Sequence, residues 1–391
     1  MSKTHEILIL GGHFAGLGMA HYLLRHTIPV LEKASPSSKY HVTIVAPHSE
    51  FFFDIAAPRF LVGKDLIPAD KIFIPISQGL REYGADRYSL VQGKAVSMSA
   101  EKKVVTVGLQ GGVSQELSYD TLIIATGTTS NSALWQMNDK EDLTKSLYAS
   151  VQASLAKAKR VLIGGGGAVG VETAGEIGNS YPAINLTILS GADRLLPRLS
   201  TGNSKKAEGK LAKMGVSVVH KLRVTSSKEE ANGTTTVVLS DGSTREVDLY
   251  IDATGGKPNS SFLPAAWLNE KGYVVVSDEK TLRTSTPGVY AIGDVASYSS
   301  GSFMDVNFSV PPLGTSISID LAEKIGKKDL FTQKLFKPLK DSQFVPIGPK
   351  GGVAQVMGWS LPSFFVWLIK ARTFFIEKAE PTVKGADYVK P

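Results

Sequence analysis

Val161-Leu162-Ile163-Gly164-Gly165-Gly166-Gly167-Ala168-Val169-Gly170-Val171-Glu172-Thr173-Ala174-Gly175-Glu176 is the stretch that decides the fold. The apolar residues 161–163 read as a buried parallel strand. They run into Gly165-x-Gly167-x-x-Gly170, with the small residue Ala174 four places later. The first glycine permits a tight turn, the second lets backbone approach a pyrophosphate, and the third lets helix and strand pack closely. The helix that starts there aims its free N–H groups and positive dipole end at phosphates. Alone such a motif is a weak signal; here it follows a strand, opens a helix and has a near copy at the N-terminus.

In that copy, residues 6–10 form a strand that enters Gly11-Gly12-His13-Phe14-Ala15-Gly16, followed by a helix with Ala20 at the small-residue position. His13 stands where the second glycine belongs and is expected to point outward, leaving the backbone amides free. The next strand, 41–46, ends in Ala46, where an acidic residue would normally hold the adenosine ribose. Residues 29–39 read as an insertion between helix and strand. After the second motif, strand 185–189 ends at Ser190, again without a carboxylate, and Arg194 and Arg198 lie just beyond. This removes a clash with a 2′-phosphate and tilts the nicotinamide choice toward NADPH.

Three further strand ends punctuate the chain. Residues 119–127 are a buried strand ending Ala125-Thr126-Gly127, and residues 248–258 repeat the ending as Ala253-Thr254-Gly255. Residues 286–294 end Ala291-Ile292-Gly293-Asp294, which places one carboxylate at the carboxyl edge of a sheet, where such folds bind ligands. Asp294 would serve equally as a helix N-cap. Residues 89–92, 95–98 and 104–107 read as a β-meander with a turn at 100–103, and 216–219 and 234–239 as strands around a turn. Residues 51–62 combine aromatics with Arg59, suited either to a phosphate or ring edge or to a helix surface. In the tail, residues 344–356 hold a strand and a glycine-rich turn at 348–352. Leu361, Phe364, Phe365, Leu368, Phe375 and Ile376 follow at helical spacings, with Lys370, Arg372 and Lys378 interleaved, and read as core rather than as a membrane anchor.

Composition sets the bounds. The chain has 391 residues, 42% hydrophobic and 20% charged, enough for two or three ordinary globular domains. It has no cysteine, which removes disulfides, thiolate metal sites and a dithiol relay. The longest apolar run, residues 364–369, is too short to span a bilayer. A strand within six residues of the start leaves no room for a cleavable signal, and Ser2 stands where myristoylation needs glycine. Residues 324–391 carry twelve Lys and Arg against five Asp and Glu, the whole of the net charge of +7. This reads as a solvated basic face, with attraction to an anionic membrane surface as the sharper alternative.

Two glycine fingerprints, two Ala-Thr-Gly strands and a late Ala-Ile-Gly-Asp, in this order, resemble the two-dinucleotide-binding-domain flavoproteins. The resemblance covers nearly the whole chain. The segments Ile55-Ala56-Ala57-Pro58-Arg59, Gly170-Val171-Glu172 and Gly352-Val353-Ala354-Gln355 are similar to the apoptosis-inducing-factor-like branch, in particular to ferroptosis-suppressor protein and its fungal relatives. It implies an α/β fold with two Rossmann-like domains, for FAD and NAD(P), and a smaller α+β C-terminal domain. The expected division is FAD binding in 1–130 and 255–335, NAD(P) binding in 131–254, and the C-terminal domain in 336–391. The FAD set implied is Gly11, Gly12, His13, Phe14, Ala15, Gly16, Arg59, Ala95, Thr126, Gly127, Gly293 and Asp294. The NAD(P)H set is Gly165, Gly167, Ala168, Val169 and Gly170. Glu172 and Lys370 are implied near the flavin as the catalytic pair, and no metal is expected.

The implied activity is hydride transfer from NAD(P)H to flavin and on to an external acceptor, with a quinone foremost and oxygen or a specialised small metabolite second. A nucleotide-bound signalling or nucleic-acid-binding protein is the reading from another class. No aromatic–basic motif accompanies the charge, so nucleic acid is not an expected partner. A monomer or homodimer is expected, cytoplasmic or membrane-associated without a cleavable signal.

Overall fold

The computed structural model describes residues 4–63, 65–138 and 141–391. Its largest sheet has seven strands, in the order Val289–Ala291, Thr121–Ile124, Thr4–Leu10, Lys39–Ala46, Tyr88–Ser99, Val104–Leu109, Ser114–Ser118. The first five run parallel and the last two turn back antiparallel. The central strands read as continuous apolar runs because helices cover both faces, and Ile7 to Leu10 and Leu122 to Ile124 are fully buried. The register sets Leu10 against Val45 and Ile124, and Ile124 against Ala291. The four segments that follow these residues therefore leave the sheet along one carboxyl edge.

A second parallel sheet, in the order Ser217–His220, Asn185–Ser190, Arg160–Gly164, Leu249–Asp252, repeats the arrangement. Gly164 is level with Leu189 and Asp252. The chain crosses between the two sheets twice, just after each Ala-Thr-Gly ending. The crossings pair as an antiparallel ribbon, Thr128–Ser130 against Gly255–Pro258. Thr126 donates its hydroxyl to the Asn259 carbonyl at 2.7 Å, and the Asn259 amide donates back to the Thr126 carbonyl at 2.8 Å. The repeated ending thus marks where the chain passes from the first sheet to the second and back. A third sheet, Gln343–Pro346, Gly352–Val356 and Trp359–Leu361, is antiparallel and flanks the glycine-rich turn. Gln355 fixes it to the second unit by accepting from the Ser200 amide at 3.0 Å.

Several expectations are corrected. Residues 29–39 hold no insertion: the helix Phe14–Tyr22 continues through a π-helical turn, Leu23–Thr27, into Ile28–Ala34, with Pro29 in the first turn of that last segment, where proline is tolerated. Residues 89–92 and 95–98 are one strand, Tyr88–Ser99, broken by a bulge between Ala95 and Ser97, and the third strand of the meander is Ser114–Ser118. The tail's aromatic stripe is not core. Phe364 is 59% exposed and Trp359 79%, with Met357, Phe365, Leu368 and Ile369 also exposed; Val366, Ala371 and Phe374 are the fully buried residues of this stretch, with Leu361, Phe375 and Ile376 partly buried against the core.

Candidate functional site

Both glycine turns are held by backbone that tolerates no side chain. At Gly11, φ is +124°, and a Cβ would lie 2.2 Å from the Ala125 carbonyl oxygen. At Gly16 it would lie 1.8 Å from the Gly11 carbonyl oxygen. The second turn repeats this: Gly165 has φ +123°, and a Cβ on Gly170 would meet the Gly165 carbonyl oxygen at 1.9 Å. The middle position differs. Gly167 caps its helix, Ala168–Ser180, from an extended conformation and faces open space. His13 caps Phe14–Tyr22 from the same conformation, φ −103° and ψ −163°. Its imidazole does not point outward. It stacks on Phe51 with ring centroids 4.7 Å apart and donates from Nε2 to the Phe52 carbonyl oxygen at 2.7 Å. The ring is folded onto an aromatic wall, which leaves the turn open.

One cavity of about 960 Å³ extends from the first turn to the start of the helix that follows the second. Gly11, Gly12, His13, Phe14 and Ala15 line it from the first turn, and Ala168, Val169 and Glu172 from the second helix. Ala46, Ala95, Thr126, Gly127, Gly293 and Asp294 line it from the carboxyl edge of the large sheet. Gly16, Gly165 and Gly170 lie behind the lining as the packing that shapes it, whereas Gly167 is exposed and not part of the lining. Asp294 is not an N-cap: the 3₁₀ turn Gly293–Val295 is capped by Ile292, and the Asp294 carboxylate accepts from the Ser299 hydroxyl at 3.1 Å. Burial pushes that carboxyl above its ordinary value, with Ser299 opposing.

On the facing side, the helix Ala168–Ser180 presents Glu172 and Glu176 one turn apart. Glu172 accepts from Lys370 Nζ at 2.7 Å, and both residues line the cavity. Burial raises the Glu172 carboxyl, while Lys370 pulls it down. Glu176 is buried and takes Arg59 in a two-pronged pair, both bonds 2.8 Å. Arg59 also donates to the Arg372 carbonyl at 2.9 Å, and its guanidinium lies 4.6 Å from the centre of the Phe374 ring. Arg59 therefore does not line the cavity in this structure. Its charge is spent between helices of the two nucleotide-binding units, because a buried Glu176 needs a partner. Lys370 reaches the cavity from the π-helical turn Trp367–Ala371, and Phe374 and Phe375 then reverse the chain in left-handed conformations.

The sequence reading missed Asp54. It follows the aromatic wall Phe51-Phe52-Phe53, lines the cavity, and carries a carboxyl pushed up to about 6, chiefly by burial. His13 and Lys370 oppose that shift and Asp294 adds to it. A lone acid inside an apolar run was the available signal. The cavity fits a dinucleotide of FAD type on three counts: a cradle that excludes Cβ atoms, a carboxylate at the strand edge opposite, and a volume at the upper end of the roughly 300–1,000 Å³ usual for ligand pockets. Among the described residues no group of side chains is arranged to hold a metal ion.

The profile of the pyridine nucleotide-disulphide oxidoreductase family matches residues 5–311. The oxidoreductase phnG of Penicillium herquei is 33% identical, over 100% of this chain and 98% of its own. Ferroptosis suppressor protein 1 of Xenopus tropicalis is 27% identical, over 97% and 96%. Among solved structures, the NAD-dependent persulfide reductase from A. fulgidus superimposes with TM-score 0.69 at 20% identity, over 90% of this chain and 64% of its own. The water-forming NADH oxidase from Lactobacillus brevis does so with TM-score 0.67 at 18% identity, over 90% and 75%. With the double cradle and the family match in agreement, this chain is an oxidoreductase that uses FAD and NAD(P)H and belongs to the pyridine nucleotide-disulphide oxidoreductase family.

Proposed function

We propose that the chain passes electrons from NAD(P)H to a quinone-type acceptor. The observation that carries this is the single cavity lined both by the first glycine turn and by the start of the helix after the second, with the Glu172–Lys370 pair on its wall. Residues 1–130 and 255–335 make the FAD unit, 131–254 the NAD(P) unit and 336–391 the C-terminal domain. Gly11, Gly12, Ala15, Gly16, Ala95, Thr126, Gly127, Gly293 and Asp294 would hold FAD; Gly165, Gly167, Ala168, Val169 and Gly170 would hold the nicotinamide dinucleotide. When bound, FAD supplies the two-electron relay between them and the acceptor.

The chain's own residues supply position and charge. Glu172 orients the nicotinamide carboxamide, and Lys370 stabilises negative charge on an acceptor oxygen. A hydride brings two electrons and one proton, whereas a quinone needs two protons to become a hydroquinone. Asp54, protonated up to about pH 6, is a donor for the second. With no cysteine in the chain, the electrons must leave to an external acceptor. The apolar exposed residues Phe364, Phe365, Leu368 and Ile369 beside Lys370, Arg372 and Lys378 support contact with an anionic membrane surface, where long-chain quinones reside. No helix of the described residues is long and apolar enough to cross a membrane.

The test is NAD(P)H oxidation measured with soluble quinones, with oxygen, and with long-chain quinone in anionic and in neutral vesicles. Quinone reduction is expected to outrun oxygen consumption, and anionic vesicles to outrun neutral ones. Oxygen as the faster acceptor would instead support an oxidase.

A further inference from the structure

Ser190 closes the strand Asn185–Ser190 directly beside the second glycine turn: a Cβ on Gly166 would lie 2.7 Å from the Ser190 side chain. In this fold the residue at that strand end faces the adenosine ribose, and a carboxylate there bonds the ribose hydroxyls and excludes a 2′-phosphate. Here the Ser190 hydroxyl is spent locally, donating to the Arg194 carbonyl at 2.8 Å and accepting from the Ala192 amide at 3.3 Å. The two arginines singled out by sequence are also occupied. Arg194 donates to the Pro197 carbonyl at 2.9 Å and to Thr201 Oγ1 at 3.3 Å, and Arg198 donates to the Ser300 carbonyl.

The cation at the strand end comes from another segment. The amides of Lys221 and Leu222 donate to the carbonyls of Ala192 at 2.9 Å and Ser190 at 3.1 Å, which folds residues 221–223 over the end of the strand. The Arg223 side chain then lies flat on Gly191, where an added Cβ would come within 2.2 Å of Nε. Arg223 is exposed, and its guanidinium makes no ion pair or side-chain hydrogen bond among the described residues. Lys221, also exposed, adds a second positive charge. Of the acids nearby, Glu208 is taken by His220 at 3.3 Å and by the Leu195 amide at 3.4 Å. Asp193 is exposed without an ion pair among the described residues and is the competing group, suited to ribose hydroxyls.

We propose that Arg223, lying on Gly191, binds the 2′-phosphate of the nucleotide docked at the second glycine turn, so that NADPH is preferred to NADH. This rests on the dinucleotide reading of that turn. An unpaired, always-charged guanidinium at this place has the planar donor set that a phosphate takes two bonds from.

Calorimetric titration of the flavin-loaded protein with adenosine 2′,5′-bisphosphate and with 5′-AMP tests it without turnover. The bisphosphate is expected to bind at least about tenfold tighter. Arg223→Ala should weaken the bisphosphate by roughly tenfold to a hundredfold and leave 5′-AMP unchanged, with Arg223→Lys recovering part of the loss. Equal binding of the two by the unaltered protein, no effect of Arg223→Ala, or a preference for 5′-AMP abolished by Asp193→Ala would each overturn the assignment. Binding of neither nucleotide would overturn the dinucleotide reading itself.

Discussion

At the scale of single residues, three of the carboxyls that line the cavity, Asp54, Glu172 and Asp294, are raised by burial. Asp54 has the plainest consequence. Its folded value, about 6, lies above the unfolded one near 3.8, so the folded protein holds the proton more tightly. Its contribution is present at low pH and is lost as pH rises from about 4 to about 6. Asp54→Asn should therefore match the unaltered, flavin-free protein in stability near pH 4 and exceed it by roughly 1–3 kcal/mol above pH 6. Denaturant unfolding at both pH values measures this; a variant less stable at pH 7.5 would contradict it. The sequence named Asp294 through its strand-end motif, and Glu172 and Lys370 through the family resemblance. It misplaced Arg59 because no local pattern announces a partner such as Glu176, 117 positions away. It missed Asp54 because one acid in an aromatic run matches no spacing rule.

At the scale of elements, strand–turn–helix units were legible because each glycine answers a steric demand. The two outer glycines of each turn are fixed by backbone contacts, whereas Gly167, in the middle of the second, faces space. Gly170→Ala, with a Cβ 1.9 Å from the Gly165 carbonyl oxygen, should abolish soluble expression or lower the melting temperature by several degrees. Gly167→Ala, with nothing within 4 Å, should fold normally and weaken NAD(P)H binding by roughly tenfold or more, because the new methyl enters the path of the pyrophosphate. Equal effects of the two on folding would contradict the reading. His13 shows that a side chain at the middle position is tolerated when aromatic partners draw it aside. The tail was harder to read, since helical spacing of Phe364, Phe365 and Leu368 fixes a face but not what that face meets.

At the scale of the whole molecule, the order of motifs led to the expectation of one nucleotide-binding unit inserted in another, and the structure has two parallel sheets joined by paired crossings after Thr126 and Thr254. What motif order could not convey is that the first turn and the helix after the second line the same cavity, or that Lys370, 198 positions from Glu172, closes its wall. The central claim is that electrons delivered at the second turn reach a flavin held at the first. Anaerobic titration of the purified protein with NADPH, followed through the flavin absorbance near 450 nm, tests it most directly. The account predicts a yellow protein whose absorbance is lost with one equivalent of NADPH per flavin and returns when a quinone is added. A protein that purifies colourless and takes up no flavin, or a bound flavin that reduced nicotinamide leaves unchanged, would contradict it.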